Sequence, residues 1–475
     1  MKLSALAAAP CDPDPDIKGL TPDSRAVREG FLFAALPGVA ADGAAFIPQA
    51  EKAGAAAVLA RPGAKTALPL VEDEEPRRRL AEMAARFYPR QPEFIAGVTG
   101  TNGKTSTAIF SAALWSMLGE NAGSLGTLGA HSAHYERKLQ HTTPEPVALH
   151  ETLDAMAKEG VTHLAMEVSS HALAQFRADG VRFSAAAFTN ITQDHLDFHA
   201  DIDDYFRAKK RLFLELTPKS GTAVVNLDGE GGEELCADVA ARGLKIITTG
   251  VRGQTLRLAA LSPQPGGLDI AVEADGKSHS LRLPLIGAFQ AENALLAAGI
   301  VIASGAEPGR VIPILERLPG VPGRMQRAAD IDGAGIYVDY AHTPDAIATA
   351  LAAIRPHARG RVVAIIGAGG DRDRKKRPLM GAAAAKGADH VIVADDNPRT
   401  EDPASIRREV LAGCAGAEEI GDRAKAIARG VAMLREGDVL LIAGKGHETG
   451  QIVGRETLPF DDVEVARSAA REQAR

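Results

Sequence analysis

The amino-acid sequence predicts an α/β protein in three domains: a small N-terminal α/β unit over 1–86, a central parallel-sheet domain over 87–320 and a C-terminal Rossmann-like domain over 321–475. Three observations carry this. A chain of 475 residues is too long for one hydrophobic core and corresponds to about three domains of ~100–200 residues. Beyond 321, apolar runs of strand length at 336–339, 362–366, 390–394 and 439–442 alternate with Ala-rich helical stretches, the pattern of a parallel sheet. Between them and the rest, Leu318-Pro319-Gly320-Val321-Pro322-Gly323-Arg324 has the Pro/Gly density of an interdomain linker.

Composition narrows the function. Hydrophobic content of 45% and charged content of 24% are those of ordinary globular protein, and a net charge of −7 gives no sign of a nucleic-acid binder. Cys11, Cys236 and Cys414 are too far apart for a disulfide framework or a Cys-based metal site, which fits a reducing cytoplasm. The N-terminal stretch up to Cys11 resembles a lipoprotein signal only superficially, because Pro10 stands where a small non-proline residue is needed. No segment approaches the ~18 uninterrupted apolar residues of a membrane span.

Within 1–86, the apolar runs at 31–36 and 53–59 read as strands separated by a helix, and Asp23-Ser24-Arg25 reads as a turn. The central domain opens with Phe94-Ile95-Ala96-Gly97-Val98, a buried strand. It is followed by the glycine loop Gly100-Thr101-Asn102-Gly103-Lys104-Thr105-Ser106 and an apolar-periodic helix over 109–118. Strand, glycine loop and helix form a phosphate-binding arrangement, so this is a P-loop, ATPase-like domain. Backbone N–H groups and the helix N-terminus face an anion, Lys104 reaches the terminal phosphates and the Thr105 hydroxyl can hold Mg²⁺. The generic spacing is missed, since Val98 stands where it asks for glycine.

Two further strands of this domain end in chemistry. The run 162–167 ends at Glu167, and in open α/β sheets an acid at a strand's carboxyl end can reach a metal on bound phosphates. The strand over 183–188 leads into Asp194, His195, Asp197 and His199, a cluster for which Mg²⁺ is the expected metal and zinc an alternative on ligand type. On the helix predicted over 203–216, Lys209 shares a face with Tyr205, Phe206, Leu212 and Phe213. Partial burial favours a neutral amine, the form that reacts with CO₂ to give a carbamate, although spacing alone makes a surface lysine lying along that apolar face the ordinary reading. Residues 221–285 read as a meander of short strands and turns, and the helix after it is predicted over 294–303, with Asn293 at its N-terminus.

In the C-terminal domain, Gly367-Ala368-Gly369-Gly370 lacks the full dinucleotide-loop pattern, and the run 371–378 reads as polar and non-helical. Neighbouring strand ends there supply Arg372, Asp396, Asn397, Arg399 and Glu448. Together they form a pocket for a zwitterion, with guanidinium groups for carboxylate and an acid and amide for ammonium.

From Asp23-Ser24-Arg25 through Gly100-Thr101-Asn102-Gly103-Lys104-Thr105 to Asp396-Asn397-Pro398-Arg399 and Gly444-Lys445-Gly446-His447-Glu448, nearly the whole chain resembles the Mur ligases of peptidoglycan synthesis. Within them it is most similar to the branch that adds meso-diaminopimelate. The resemblance implies a monomeric cytoplasmic ligase that uses ATP and Mg²⁺. It would join meso-diaminopimelate to the D-glutamate γ-carboxylate of UDP-N-acetylmuramoyl-L-alanyl-D-glutamate through an acyl phosphate, and it binds neither nucleic acid nor membrane. It further implies that Glu167 and His195 bind Mg²⁺ and that Lys209 carries a carbamate. Gly100 to Ser106 with Asn293, Arg324 and Asp339 would hold ATP. Ser24, Val39, Ala40, Ala41, Thr142, Thr143, Ser169, Gln175 and Arg177 would contact the UDP substrate, while Arg372, Asp396, Asn397, Pro398, Arg399, Gly444 and Glu448 would bind the amino acid. His141 departs from the asparagine expected there.

Rivals are the L-lysine-adding homologue and a nucleotide-binding regulatory protein without ligase activity. Meso-diaminopimelate carries a second carboxylate that L-lysine lacks, and Arg399 can grip it through two parallel hydrogen bonds.

Overall fold

The computed structural model describes residues 1–38, 42–192 and 198–474. Val39, Ala40, Ala41, Asp194, His195 and Asp197 lie outside the described residues. Two compact units result, one of Met1–Gln254 with Leu296–Glu307 and one of Thr255–Leu295 with Pro308–Arg475.

In the first unit, the N-terminal strands Gly19–Thr21, Phe31–Ala34, Ala57–Ala60 and Leu70–Glu72 form a parallel sheet. The third strand starts later than expected because helix Ile47–Lys52 ends in a turn at Ala53–Gly54. The larger sheet runs in the spatial order Lys245–Gly250, Thr222–Asn226, Ala185–Phe188, Phe94–Thr99, His163–Glu167 and Ala122–Gly126, all parallel. Two short antiparallel strands, Gly129–Ser132 and Glu136–Arg137, follow at that edge. Its interior is packed with aliphatic and aromatic side chains such as Ile95, Leu164, Met166, Phe183, Phe188 and Phe213. Strand Phe94–Thr99 has the later strands on both flanks, with Val98 opposite Glu167 and Thr99 opposite Phe188. Their carboxyl ends therefore meet at a switch point of the sheet, where α/β proteins bind ligands.

The structure corrects the meander expected over 221–285. A helix at Gly232–Arg242 separates the parallel strands Thr222–Asn226 and Lys245–Gly250. Leu235 and Val239, four apart, are both fully buried on one face, a helical spacing that the surrounding glycines concealed. Only Leu256–Gln264, Gly267–Ala274 and Lys277–Leu283, in the second unit, pair antiparallel as a meander. The predicted helix over 203–216 is α-helical at Ile202–Arg211 and then widens into a π-turn at Leu212–Leu216, a feature common near functional sites.

Besides the antiparallel pair Gly450–Val453 and Glu456–Pro459, six strands of the second unit form one sheet in the order Gln326–Ile331, Ala334–Asp339, Val439–Ala443, Val362–Ile366, His390–Val393 and Glu418–Glu419. All pairs except the first are parallel, and apolar layers cover both faces. The helix expected from 294 begins at Ala288, which places Asn293 inside it. Part of the basic run is helical too: Lys376–Gly387 is a helix because Arg377, Met380, Gly381 and Ala384 turn one face inward. Among the described residues, no helix is long and apolar enough to cross a membrane.

One buried titratable group gives the first unit a measurable pH dependence. His150, on helix Pro146–Lys158, donates from Nε2 to the carbonyl of Asp179 at 3.0 Å, while its buried Nδ1 has no hydrogen-bond partner. Burial lowers its pKa from 6.5 to about 4, because a proton added at Nδ1 would have no acceptor. The stabilising contribution is thus full above pH 6.5 and is lost as pH falls towards 4, by about 3 kcal/mol in total. Denaturant unfolding across that window is expected to show this slope, and His150→Gln to flatten it. An equal slope in both proteins would refute the assignment.

Candidate functional site

The glycine loop is folded by contacts that reach across the sheet. The Thr101 amide donates to the Asn190 carbonyl at 2.9 Å and the Asn102 amide to Asn190 Oδ1 at 3.1 Å. Gly103, with φ of 87°, caps the helix Lys104–Met117. Lys104 bends back over the loop, its Nζ donating to the carbonyls of Gly100 at 2.9 Å and Thr101 at 2.7 Å.

Lys209 arrives at the same place from the opposite side. Its side chain is fully buried rather than lying along the surface, and its Nζ donates to the Gly100 carbonyl at 2.8 Å. It stands 4.1 Å from the centre of the Tyr205 ring, and the Tyr205 hydroxyl is 3.2 Å from Thr101 Oγ1. Two lysine amines thus share one carbonyl oxygen. The neighbouring Lys210 turns outward to Asp238 and Glu234.

Beside the loop, Thr105 Oγ1 donates to Glu167 Oε2 at 3.0 Å. The buried Glu167 carboxylate also accepts from the Thr127 amide at 2.7 Å and the Thr127 hydroxyl at 3.3 Å. Hydroxyl and carboxylate oxygens therefore cluster where the loop meets a strand end, the donor type that Mg²⁺ prefers. Among the described residues, no group of three His, Cys, Asp or Glu side chains could hold a metal; His195 lies outside them.

The candidate UDP-substrate residues divide. Thr143 Oγ1 donates to the Glu167 carbonyl at 2.9 Å and accepts from the Ser169 amide at 3.1 Å. Arg177 donates to the Thr143 carbonyl at 3.2 Å and holds Gln175 Oε1 at 2.6 Å. Thr142 Oγ1 is 3.1 Å from Thr127 Oγ1. These five belong to one network with Glu167. Ser24 sits apart in the short 3₁₀ turn Ser24–Ala26 that follows the first strand, where it donates to Gln49, and Asp23 closes the expected turn by accepting from the Arg25 amide and side chain.

In the second unit, the ATP candidates form a hydrogen-bonded chain. Asn293 donates to Gln290 at 3.1 Å and Gln290 to the Arg324 carbonyl at 3.3 Å. Asp339 accepts the Met325 amide at 2.7 Å and the Ala341 amide at 2.8 Å.

The amino-acid candidates lie at the ends of three adjacent strands, as expected. Asn397 Nδ2 donates to Glu448 Oε2 at 2.8 Å. Burial pushes the Asp396 carboxyl up, against the pull of Arg423 and Lys445. Gly444 brings its backbone against Asp396, since a Cβ there would stand 2.7 Å from Asp396 Oδ2. The carbonyl of Pro398 touches Gly370, and Arg399, at a φ of 51°, donates from Nη1 to the Gly370 carbonyl at 2.8 Å. Arg372 is exposed, with its stem alongside Gly369 and so beside Arg399.

Sequence reasoning missed two contributors. Lys445, fully buried, donates to Asn397 Oδ1 at 3.0 Å and Glu448 Oε2 at 3.2 Å; a lysine between two glycines reads as solvated, and nothing local shows that Asn397 and Glu448 enclose it. Thr127 lies 40 positions from Glu167 and carried no signal.

A phosphate loop at the switch point of a parallel sheet, with a carboxylate and two lysines against it, defines a nucleotide-using α/β enzyme. The comparisons with known proteins make this specific: Mur ligase family models match residues 16–88 (catalytic domain), 98–301 (middle domain) and 323–446 (glutamate ligase domain). The chain belongs to the Mur ligase family. It is 50% identical over 471 residues to the UDP-N-acetylmuramoyl-L-alanyl-D-glutamate--2,6-diaminopimelate ligase of Caulobacter vibrioides, covering 97% of each chain. To the ligase of the same name from Bradyrhizobium diazoefficiens it is 49% identical, covering 96% of this chain and 95% of the other. A solved structure of a ligase of that name, 33% identical, matches with a TM-score of 0.77 over 100% of this chain and 99% of that one. The MurF ligase of Thermotoga maritima in complex with ADP, 19% identical, shares the fold with a TM-score of 0.59 over 99% of this chain and 97% of that one.

Proposed function

We propose that the chain is the ATP-dependent ligase that forms the amide bond between the D-glutamate γ-carboxylate of UDP-N-acetylmuramoyl-L-alanyl-D-glutamate and meso-diaminopimelate. It acts in the cytoplasm as a monomer, with domains divided near 86 and 320. The observation that carries this reading is the convergence of Lys104 and Lys209 on the Gly100 carbonyl beside the Thr105–Glu167 pair. Full-length likeness to ligases of this name supplies the substrates.

In this reading Lys104 swings from the loop carbonyls to the terminal phosphates as the γ-carboxylate attacks the γ-phosphorus, releasing ADP and leaving an acyl phosphate. The loop amides and Lys104 stabilise the charge that spreads over the transferring oxygens. Gly100 to Ser106 grip the nucleotide phosphates, with Asn293, Arg324 and Asp339 assisting; Thr142, Thr143, Ser169, Gln175 and Arg177 hold the UDP substrate, together with Ser24 and the loop Val39 to Ala41. Bound Mg²⁺, held by Thr105, Glu167, His195 and a Lys209 carbamate, would supply Lewis-acid stabilisation of phosphoryl charge. The incoming amino acid is oriented by Arg372, Asp396, Asn397, Pro398, Arg399, Gly444 and Glu448, and its neutral amine attacks the acyl carbon, expelling phosphate.

The direct test is ADP release that requires both UDP-muramoyl dipeptide and meso-diaminopimelate. ADP release with L-lysine instead would mark the lysine-adding homologue, and nucleotide binding without turnover would mark a regulatory protein. The Arg399 guanidinium supplies the selectivity. Removing one partner of a desolvated charge pair costs on the order of 2–5 kcal/mol, so Arg399→Ala is expected to weaken use of meso-diaminopimelate by about 30- to 5000-fold while the KM for ATP stays put. Equal loss of both would refute the role.

A further inference from the structure

Arg399 is useful for selectivity only if its guanidinium is aimed; residues 452–454 hold its backbone, the amide donating to the Ile452 carbonyl at 3.0 Å and the carbonyl accepting the Gly454 amide at 2.7 Å. The guanidinium donates instead to the Gly370 carbonyl, which belongs to a separate loop, residues 367–375. That loop is stitched to the Arg399 segment at several points. The Gly370 amide donates to the Asn397 carbonyl at 2.9 Å. The Asp371 carboxylate accepts from the Thr400 amide at 3.1 Å and the Thr400 hydroxyl at 2.8 Å. Spacing is tight enough that a Cβ on Gly370 would stand 1.9 Å from the Pro398 carbonyl oxygen.

Beneath the stitches lies Arg377, one of the largest fully buried side chains of the protein. Its Nη2 donates to the Gly369 carbonyl at 3.2 Å and to Glu401 Oε1 at 2.8 Å, and its Nη1 to Glu401 Oε2 at 3.0 Å and Glu409 Oε2 at 2.8 Å. Glu401 in turn accepts the Asp371 amide at 2.5 Å. One bidentate guanidinium–carboxylate pair therefore fixes both loops, two residues from Arg399 on one side and at Gly369 on the other. Such a pair has a fork geometry that a lysine or a neutral amide does not reproduce. The guanidinium next to it also holds the Glu401 carboxyl down at about 2, so the pair stays ionised across the working range of pH.

We propose that the ion pair between buried Arg377 and part-exposed Glu401 is the positioning device for amino-acid selectivity, locking residues 369–371 against the 397–401 segment so that the Arg399 guanidinium meets the distal carboxylate of the acceptor. Arg377 and Glu401 act through Arg399 and touch no substrate. This inference rests on the function proposed above. A misplacement of about 1 Å at a substrate-gripping group can cost up to ~100-fold, so the effect belongs in the KM of one substrate and in a selectivity ratio.

The test uses the full-length enzyme and steady-state ADP release with each substrate varied in turn. Glu401→Gln is expected to raise the KM for meso-diaminopimelate about 10- to 100-fold and to lower the preference for meso-diaminopimelate over L-lysine. The KM values for ATP and the UDP substrate stay unchanged. Arg377→Lys, which keeps the charge but not the fork, is expected to fall between Glu401→Gln and the parent. Thr400→Val removes only the exposed stitch to Asp371 and keeps the experiment readable where a change at the ion pair prevents folding; it is expected to shift the same two quantities in the same direction. An unchanged KM for meso-diaminopimelate in Glu401→Gln or Thr400→Val, or a parallel loss for all three substrates, would overturn the inference while leaving the function standing. A parent enzyme that does not use meso-diaminopimelate would overturn both.

Discussion

Lys209→Met is expected to reduce turnover by about 10²–10³-fold, the loss typical of removing one group that stabilises developing charge, while the chain keeps its fold. The physical case begins with two amines on one carbonyl oxygen. As ammonium ions they repel one another, and the Lys209 side chain is fully buried. The Tyr205 ring 4.1 Å from the Lys209 nitrogen contributes about 1–2 kcal/mol of cation–π attraction in the ammonium form. Burial and a neighbouring cation both disfavour the charged form of an amine. A neutral Lys209 amine can add CO₂, and the resulting carbamate turns a like-charge pair into an attractive one. Intact-mass spectrometry in bicarbonate buffer is expected to show the mass of one added CO₂ on the parent protein and not on Lys209→Met, and activity of the parent to fall in CO₂-free buffer and return with bicarbonate. Full activity of Lys209→Met would remove the lysine from the mechanism, and a parent indifferent to bicarbonate would remove the carbamate.

Much of this site was legible because its signals are local. The strand, glycine loop and helix around Lys104 declare themselves within some twenty-five consecutive residues, and the helical spacing of Tyr205, Phe206, Leu212 and Phe213 brings Lys209 to an apolar face. Strand ends rich in Asp, Asn and Arg were placed together because a parallel sheet sends all its carboxyl ends one way. Contacts between distant segments were not legible. Nothing near Thr127 indicates that it binds Glu167, and the basic run at 371–378 gives no hint that Arg377, alone among its charged neighbours, is buried between two acids. The helix at Gly232–Arg242 was hidden for a different reason: Gly231, Gly232 and Gly243 punctuate it at both ends, and short glycine-bounded segments read as turns.

Gly100→Ala is expected to disrupt both the stability of the first unit and its phosphate loop, and a matched control separates its causes. Gly100 adopts a φ of +142°, and a Cβ there would stand 1.8 Å from Thr189 Oγ1, 2.9 Å from the Asn190 carbonyl oxygen and 3.0 Å from its amide nitrogen. Gly119 also has a positive φ, +95°, but a Cβ there would meet nothing within 4 Å. Gly119→Ala therefore measures the backbone penalty by itself, about 1 kcal/mol. Gly100→Ala must in addition displace backbone that itself holds the loop, since the Asn190 carbonyl accepts the Thr101 amide. Moving it shifts the Gly100 carbonyl on which both lysines rest. A loss of about 3 kcal/mol or more is expected for Gly100→Ala, read as a lower denaturation midpoint, with no detectable ADP binding by calorimetry; Gly119→Ala should bind ADP like the parent. Trimming the obstructing hydroxyl in a Gly100→Ala, Thr189→Ala double variant should recover part of the stability and none of the binding, because the Asn190 backbone still obstructs. Equal midpoints for the two single variants would mean that the loop tolerates a side chain at 100, and that the carbonyl shared by Lys104 and Lys209 is not fixed by glycine at all.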